Sequence, residues 1–233
     1  MFGQSAILKL VKWTSRFADF ALPNLCFGCR KATCELFCAS CFELLQMPAS
    51  TSLEIGSGRV VRVFSALPYT DVSRGLIHSK FVSKPGAFVR AAGLLSQRFG
   101  PLLQGSVVCP VPSHWTRRVS RGFDQADILA REFAGQTCLP YASLLKRIRR
   151  TEKQSKQSDS ACRKKNLKDA FRVNPKFLRD PYLGPSLKKG ELTITLVDDL
   201  FTSGSTIGSA AKALFDQFEG LGLINGLCLA RTV

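Results

Sequence analysis

Apolar positions along the chain fall into short β-branched runs that alternate with stretches of helical spacing. Residues 60–67, 107–111, 192–197 and 223–230 are runs of strand length, and 144–148 and 170–173 are two further strand candidates. Residues 72–81, 85–99, 124–134 and 207–218 carry apolar side chains at helical spacing, the third of them after a turn at Gly122. Strands alternating with helices predict an α/β domain with a largely parallel sheet and flanking helices, whose ligands sit at strand carboxyl ends. Nearer the start, Ile7, Leu8, Leu10, Val11, Phe17 and Phe20 recur at helical spacing opposite basic residues, ending before Pro23. Such a helix can lie on a membrane, although packing on a neighbouring domain is the commoner fate. A Ser/Thr/Gly stretch from Pro48 to Gly58 reads as a linker, dividing a small N-terminal unit (1–55) from the main domain (59–233).

Composition narrows the class. The 233 residues are 45% hydrophobic, ordinary for a folded core, and no run approaches the eighteen or so apolar residues of a membrane span. Lys9, Lys12, Arg16 and Asp19 interrupt the N-terminal region where a secretory leader would need an apolar stretch, so a cytoplasmic protein is expected. The net charge of +16 is unevenly spread. Residues 146–189 hold 15 Lys and Arg against Glu152, Asp159, Asp169 and Asp180, which accounts for +11 of it. That asymmetry suits a polyanionic partner, either a pyrophosphate-bearing substrate or nucleic acid. It equally suits a solvated loop, since 151–165 is polar and without aromatics, and basic loops often close over anionic substrates.

Two segments carry chemistry. Cys26 and Cys29, then Cys38 and Cys41, are Cys-x-x-Cys pairs, and two such turns complete a structural four-cysteine zinc site. Cys34 lies between them and is either a free thiol or a replacement for one of the four; a disulfide cluster would require an oxidising compartment. Residues 192–197 form a strand that ends in Asp198 and Asp199, followed by the hydroxyl- and glycine-rich turn Thr202, Ser203, Gly204, Ser205 and Thr206, then a helix. A strand end, a tight loop and a helix N-terminus cradle a phosphate, and paired carboxylates suit a sugar diol, directly or through Mg²⁺. An ordinary strand with a Ser/Thr helix cap is the plainer reading of the same residues. A nucleoside-triphosphate P-loop is excluded, because no lysine follows Gly204 or Gly208 at the required place. After the strand at 107–111 comes a loop with Arg117, Arg118 and Arg121, whose guanidinium forks suit a pyrophosphate. His114 borders that loop, Trp115 reads as packing or a base-stacking ring, Lys80 as a solvated lysine or substrate contact, and His78 as structural.

The order Val197-Asp198-Asp199, Thr202, Gly204, Thr206 resembles the 5-phosphoribosyl-1-pyrophosphate (PRPP) loop of type I phosphoribosyltransferases. The resemblance implies a phosphoribosyltransferase-like fold plus a small zinc module. It casts Asp198 and Asp199 as the catalytic pair on the ribose hydroxyls, with Thr202 to Thr206 around the 5-phosphate. Pro110-Val111-Pro112, followed by Arg121-Gly122-Phe123-Asp124-Gln125-Ala126, resembles a hallmark of the ComF/GntX family, phosphoribosyltransferase-like proteins linked to DNA uptake in competent bacteria. Thr151 to Gln154, Arg163, Asn166 and Ala170-Phe171 resemble that family's next segment, and the four cysteines fit it too. Asp124 departs from the family's usual Asn, Ser113 from a larger apolar residue and Ser158 from Leu; Asp124 reads as a plain helix N-cap. The implied function is a PRPP- and Mg²⁺-binding adaptor for ligand sensing or DNA handling, with single-stranded DNA and the competence machinery as partners. The alternative is an active PRPP-dependent phosphoribosyltransferase acting on an unidentified acceptor.

Overall fold

The computed structural model describes residues 25–45, 50–56, 58–79, 85–113, 122–148, 170–181, 183–189, 191–218 and 220–232. The amphipathic segment at 7–20 lies outside them. Along the chain, helix α1 (Ala39–Glu43) follows the first cysteines and precedes β1 (Thr51–Ile55) and β2 (Arg59–Pro68). Helices α2 (Asp71–His78) and α3 (Pro85–Phe99) lead through a 3₁₀ turn to β3 (Ser106–Pro110) and α4 (Gln125–Thr137). Then come β4 (Leu145–Arg147), β5 (Phe171–Val173), α5 (Pro175–Leu178), α6 (Leu183–Lys189), β6 (Thr193–Phe201), α7 (Ser205–Gln217) and β7 (Ile224–Arg231).

Five strands make the main sheet in the order β1-β2-β7-β6-β3. All neighbours run parallel except β1, which pairs antiparallel with β2. The apolar runs of β3 and β7 are buried on both faces, as a helix-covered parallel sheet requires. One face packs Ile207, Ala210, Ala211 and Leu214 of α7, with the short β4–β5 ribbon, against Cys109, Ile194 and Leu196. The other packs Phe88 and Leu95 of α3 and Leu129 and Phe133 of α4 against Val108, Val197 and Leu227. The β3 edge is covered by residues 140–142: the Val108 N–H donates to the Pro140 carbonyl at 2.8 Å, and the Ala142 N–H to the Val108 carbonyl at 2.9 Å. Among the described residues no helix is long and apolar enough to cross a membrane.

Two expectations change. The stretch read as a linker contains β1, and the division between residues 55 and 59 falls inside the β1–β2 hairpin. Hydroxyl-rich composition masked a period-two pattern, in which Leu53 and Ile55 turn inward to within 3.4 Å of where a Cβ on Gly208 would stand. Segments 145–147 and 171–173 pair with each other in a separate antiparallel ribbon instead of joining the main sheet.

The cysteine-bearing lobe docks on α2 and α3. Cys26, Leu36, Phe37, Cys41 and Leu45 share one apolar cluster with Leu76, Ile77 and Phe88. The contact is close: a Cβ on Gly75 of α2 would stand 2.6 Å from the Phe27 carbonyl oxygen, a backbone atom that cannot yield without shifting the lobe. Gly75→Ala is therefore expected to destabilise the protein by about 1–3 kcal/mol despite its better helix propensity. Urea unfolding monitored by circular dichroism measures this; stability equal to or above wild type would show that the lobe is not seated there.

Candidate functional site

The candidate site lies where β3 and β6 part. Their parallel register ends with Pro110 opposite Val197, sealed by a 2.8 Å bond from the Val111 N–H to the Val197 carbonyl. From β3 the chain passes to α4 on one face of the sheet, and from β6 to α7 on the other. Adjacent carboxyl ends leading to opposite faces open a crevice between them, the place where open parallel sheets bind ligands. Asp198 and Asp199 continue β6 past that point, beside β7, with Asp198 opposite Cys228. The expected strand end at Val197 is thus an end of pairing with β3 only. The Asp199 N–H donates to its neighbour's carboxylate at 2.8 Å, which orients Asp198. Burial pushes the Cys228 thiol well up, and the charges of Asp198 and Asp199 push it further, so the acid pair is felt inside the core.

The turn into α7 is tightly specified. Gly204 has φ +73°, and a Cβ there would stand 2.9 Å from Leu53 Cδ1 and 3.1 Å from the Phe201 ring. Both the backbone conformation and the approach of β1 therefore require glycine. Thr202 and Ser203 are exposed, Ser205 and Thr206 half-buried, and the Ser203 and Ser205 hydroxyls lie 2.9 Å apart. The first intrahelical bond runs from the Gly208 N–H to the Gly204 carbonyl at 2.8 Å. The N–H groups before it have no intrahelical acceptor and face outward with the positive end of the helix. Carboxylates on the strand thus stand beside hydroxyls in the turn and the N–H groups of a helix start, a set of donors of the kind that suits an anion.

Across the crevice, Ser113 donates to Asp124 Oδ2 twice, from its N–H at 3.1 Å and from its hydroxyl at 2.8 Å. The two departures from the family pattern in this segment are thus partners. Asp124 occupies the N-cap position of α4 with extended backbone, but its side chain caps no N–H of that helix, which corrects the plain-cap reading. Arg117, Arg118, Arg121, His114, Trp115 and Lys80 lie outside the described residues, as do residues 149–169 of the basic run. The ends of that run are anchored: the Ile148 N–H donates to the Ala170 carbonyl at 2.9 Å. Burial pushes the Cys109 thiol up to about 12 although the backbone N–H groups of Leu144 and Leu145 pull it down, which sets the start of β4 against the carboxyl end of β3. At the carboxyl ends of β2 and β7 the Tyr69 N–H donates to the Arg231 carbonyl at 2.7 Å, and the Tyr69 hydroxyl meets His78 Nε2 at 3.0 Å. Nothing in a single sequence pairs Tyr69 with His78.

The four cysteines do come together. The Sγ atoms of Cys26, Cys29, Cys38 and Cys41 all lie within 4.8 Å of one another, those of Cys29 and Cys38 at 3.6 Å, while exposed Cys34 stands outside the group. Gly28 makes room, since a Cβ there would stand 2.8 Å from Cys41 Sγ. Burial opposes ionisation of Cys26, yet N–H groups of Cys38, Cys29 and Gly28, with the Cys41 thiol, hold it down to about 6. Burial and the thiols of Cys26, Cys29 and Cys38 push Cys41 up to about 12. Four sulfurs at this spacing, from two Cys-x-x-Cys turns, suit tetrahedral zinc.

No family model matches the chain. The protein named DNA utilization protein YhgH from Salmonella typhi is 28% identical over an alignment of 240 positions, covering 91% of this chain and 99% of the relative. Competence protein F from Haemophilus influenzae is 32% identical over 108 positions, which are 46% of this chain and 43% of the relative. Among solved structures, orotate phosphoribosyltransferase from Aeropyrum pernix aligns with 80% of this chain and 73% of its own at 17% identity and a TM-score of 0.35. The chain is thus similar over most of its length to a protein named for DNA utilization, and over about half of it to one named for competence.

Proposed function

We propose that the protein binds PRPP with Mg²⁺ in the β3–β6 crevice and serves as a cytoplasmic ligand-sensing or DNA-handling adaptor in DNA uptake. One observation carries the reading: the acid pair Asp198–Asp199 leads directly into a glycine-specified turn and helix start at the point where the sheet's connections diverge. In this reading Asp198 and Asp199 hold the ribose hydroxyls and, with the pyrophosphate, a Mg²⁺ ion. Thr202, Ser203, Gly204, Ser205 and Thr206 surround the 5-phosphate, and Arg117, Arg118 and Arg121 neutralise the pyrophosphate. Asp198→Asn combined with Asp199→Asn keeps side-chain size and removes charge, so Mg²⁺-dependent PRPP binding is expected to vanish with the fold intact. Thr206→Val is expected to weaken binding by about 1–3 kcal/mol through a lost phosphate donor. Calorimetry showing equal affinity for wild type and the double variant would remove the assigned cradle.

A second reading keeps the same site and adds turnover: a phosphoribosyltransferase acting on an unidentified acceptor. The intact acid pair favours it. Pyrophosphate release from PRPP in the presence of candidate acceptors separates the two.

The cysteine cluster is read as a structural Zn²⁺ site. Purified protein is expected to hold about one tightly bound Zn²⁺ per chain, because a closed four-thiolate site binds metal as part of folding. Serine at Cys26, Cys29, Cys38 or Cys41 should release metal and unfold the lobe, whereas Cys34→Ser should leave both unchanged. Metal analysis and thermal melting check this; a metal-free chain that melts like the wild type would refute it.

The basic run supports the DNA-handling role. Residues 146–189 carry +11, enough for salt-sensitive binding to single-stranded DNA through counterion release. Charge reversal at Arg163, Lys164 and Lys165 is expected to flatten the slope of log affinity against log salt by roughly two to three, at about 0.7 per phosphate contact. Anisotropy titrations at several salt concentrations measure the slope; undetectable DNA binding at low salt would leave the transferase reading alone.

A further inference from the structure

We propose that Cys29 and Cys38 form an oxidative modification site, at which a hydroperoxide joins the two sulfurs as a disulfide and the zinc leaves. The inference rests on the zinc reading of the four cysteines and adds to it which pair reacts. Four thiols in two turns allow several pairings, and the fold makes them unequal. Cys26 and Cys41 are buried, in one apolar cluster with Leu76 and Ile77 of α2 and Phe88 of α3. Cys26 Sγ also accepts the Cys38 N–H at 3.3 Å, and Cys41 Sγ stands 2.8 Å from where a Cβ on Gly28 would lie. Cys29 by contrast is exposed and Cys38 half-buried, and their sulfurs are 3.6 Å apart. A polar oxidant arriving from water thus reaches Cys29 first and finds the Cys38 sulfur beside it. A disulfide bond is about 2.05 Å long, so the two sulfurs must close by about 1.5 Å, a change of side-chain torsion. Cys34 is exposed as well, but it stands outside the group of four sulfurs.

In the first step the Cys29 thiolate attacks one oxygen of hydrogen peroxide, the O–O bond breaks, and hydroxide leaves with the other oxygen. The product is a sulfenic acid. The Cys38 thiolate then attacks that sulfur and expels a second hydroxide, forming the S–S bond. Each sulfur loses one electron, the peroxide gains both, and solvent protonates the two hydroxides. Zinc then keeps only Cys26 and Cys41 of its four ligands, too few for a closed structural site, and passes to water. Cys29 belongs to the first Cys-x-x-Cys turn and Cys38 to the second, so the new bond joins the turns where the metal did. A bond inside either turn would instead need buried Cys26 or Cys41. Reduction by a dithiol reverses the step and restores all four ligands.

The test uses the full chain, its metal content measured after purification, with hydrogen peroxide as the oxidant. Zinc release is followed with a chromogenic chelator, and disulfides are mapped by alkylation, proteolysis and mass spectrometry. About one Zn²⁺ is expected to appear per peroxide consumed, together with a peptide pair linked through Cys29 and Cys38. Dithiothreitol with added Zn²⁺ should return the chain to its starting metal content. Cys34→Ser should release zinc at the wild-type rate, because Cys34 takes no part. Three results on a zinc-loaded chain overturn the inference and leave the zinc site standing. They are a different pair forming first, slower release in Cys34→Ser, or zinc retained until the cysteines reach sulfinic acid. A chain purified without zinc overturns the zinc reading, and this inference with it.

Discussion

The parallel ladder between β3 and β6 stops at Pro110–Val197 while the ladder between β6 and β7 runs on to Phe201. That inequality shapes the candidate site. Asp198 pairs with Cys228 of β7 on one side, and on the other the ladder to β3 has ended. A carboxylate pair inside a fully paired sheet would be buried and costly to charge; one beyond both ladders would be loose. Placed half-way, it keeps strand geometry while staying half-buried and not sealed in the core. The two apolar clusters follow from the same parting, since one belongs to the face taken by α7 and the other to the face taken by α3 and α4.

The cysteine lobe reaches the same edge through α2. That helix begins where β2 ends, and it carries Gly75 against Phe27 and His78 against the Tyr69 hydroxyl. Burial of Leu36, Phe37 and Leu45 on the α2–α3 side contributes about 1.5–3 kcal/mol for each fully buried side chain, so the lobe is part of the core. Backbone N–H groups favour the thiolate of Cys26 while burial and the neighbouring thiols oppose that of Cys41. A cation at their centre would then relieve the crowding of charge. Strand β1 plays the corresponding part at the other end of the site, where Leu53 packs so closely on the turn that only glycine fits at position 204.

How far the fold was legible depended on whether the determining pattern was local. Helix α3 spans residues 85–99 as its periodicity indicates, because an apolar stripe is a property of consecutive residues. Strand β1 was read as linker, because Thr51 and Ser52 look like turn residues until Leu53 and Ile55 find α7 and β2 finds its partner. The ribbon β4–β5 reads as two strands, but which sheet they join depends on residues far along the chain. At the site the contrast is similar. The acid pair and the hydroxyl turn lie in one contiguous segment and announce themselves, as do two Cys-x-x-Cys turns at a spacing that suits one ion.

By itself, the sequence determined which groups exist at each point of the chain: a doubled acid after an apolar run, a hydroxyl- and glycine-rich turn, four thiols in two pairs and a concentrated positive charge. Those follow from short-range spacing, where a few bonds fix which side chains share a face. The tertiary structure alone decided which of these groups meet. It set the end of β3 beside Asp198, joined Ser113 to Asp124 and Tyr69 to His78, left Cys34 outside the thiol cluster and packed β1 beneath Gly204. The contacts of β3 with β6 and of β1 with the Gly204 turn join elements far apart in the chain through the packing of the whole sheet, and the free energy that selects them belongs to no single segment.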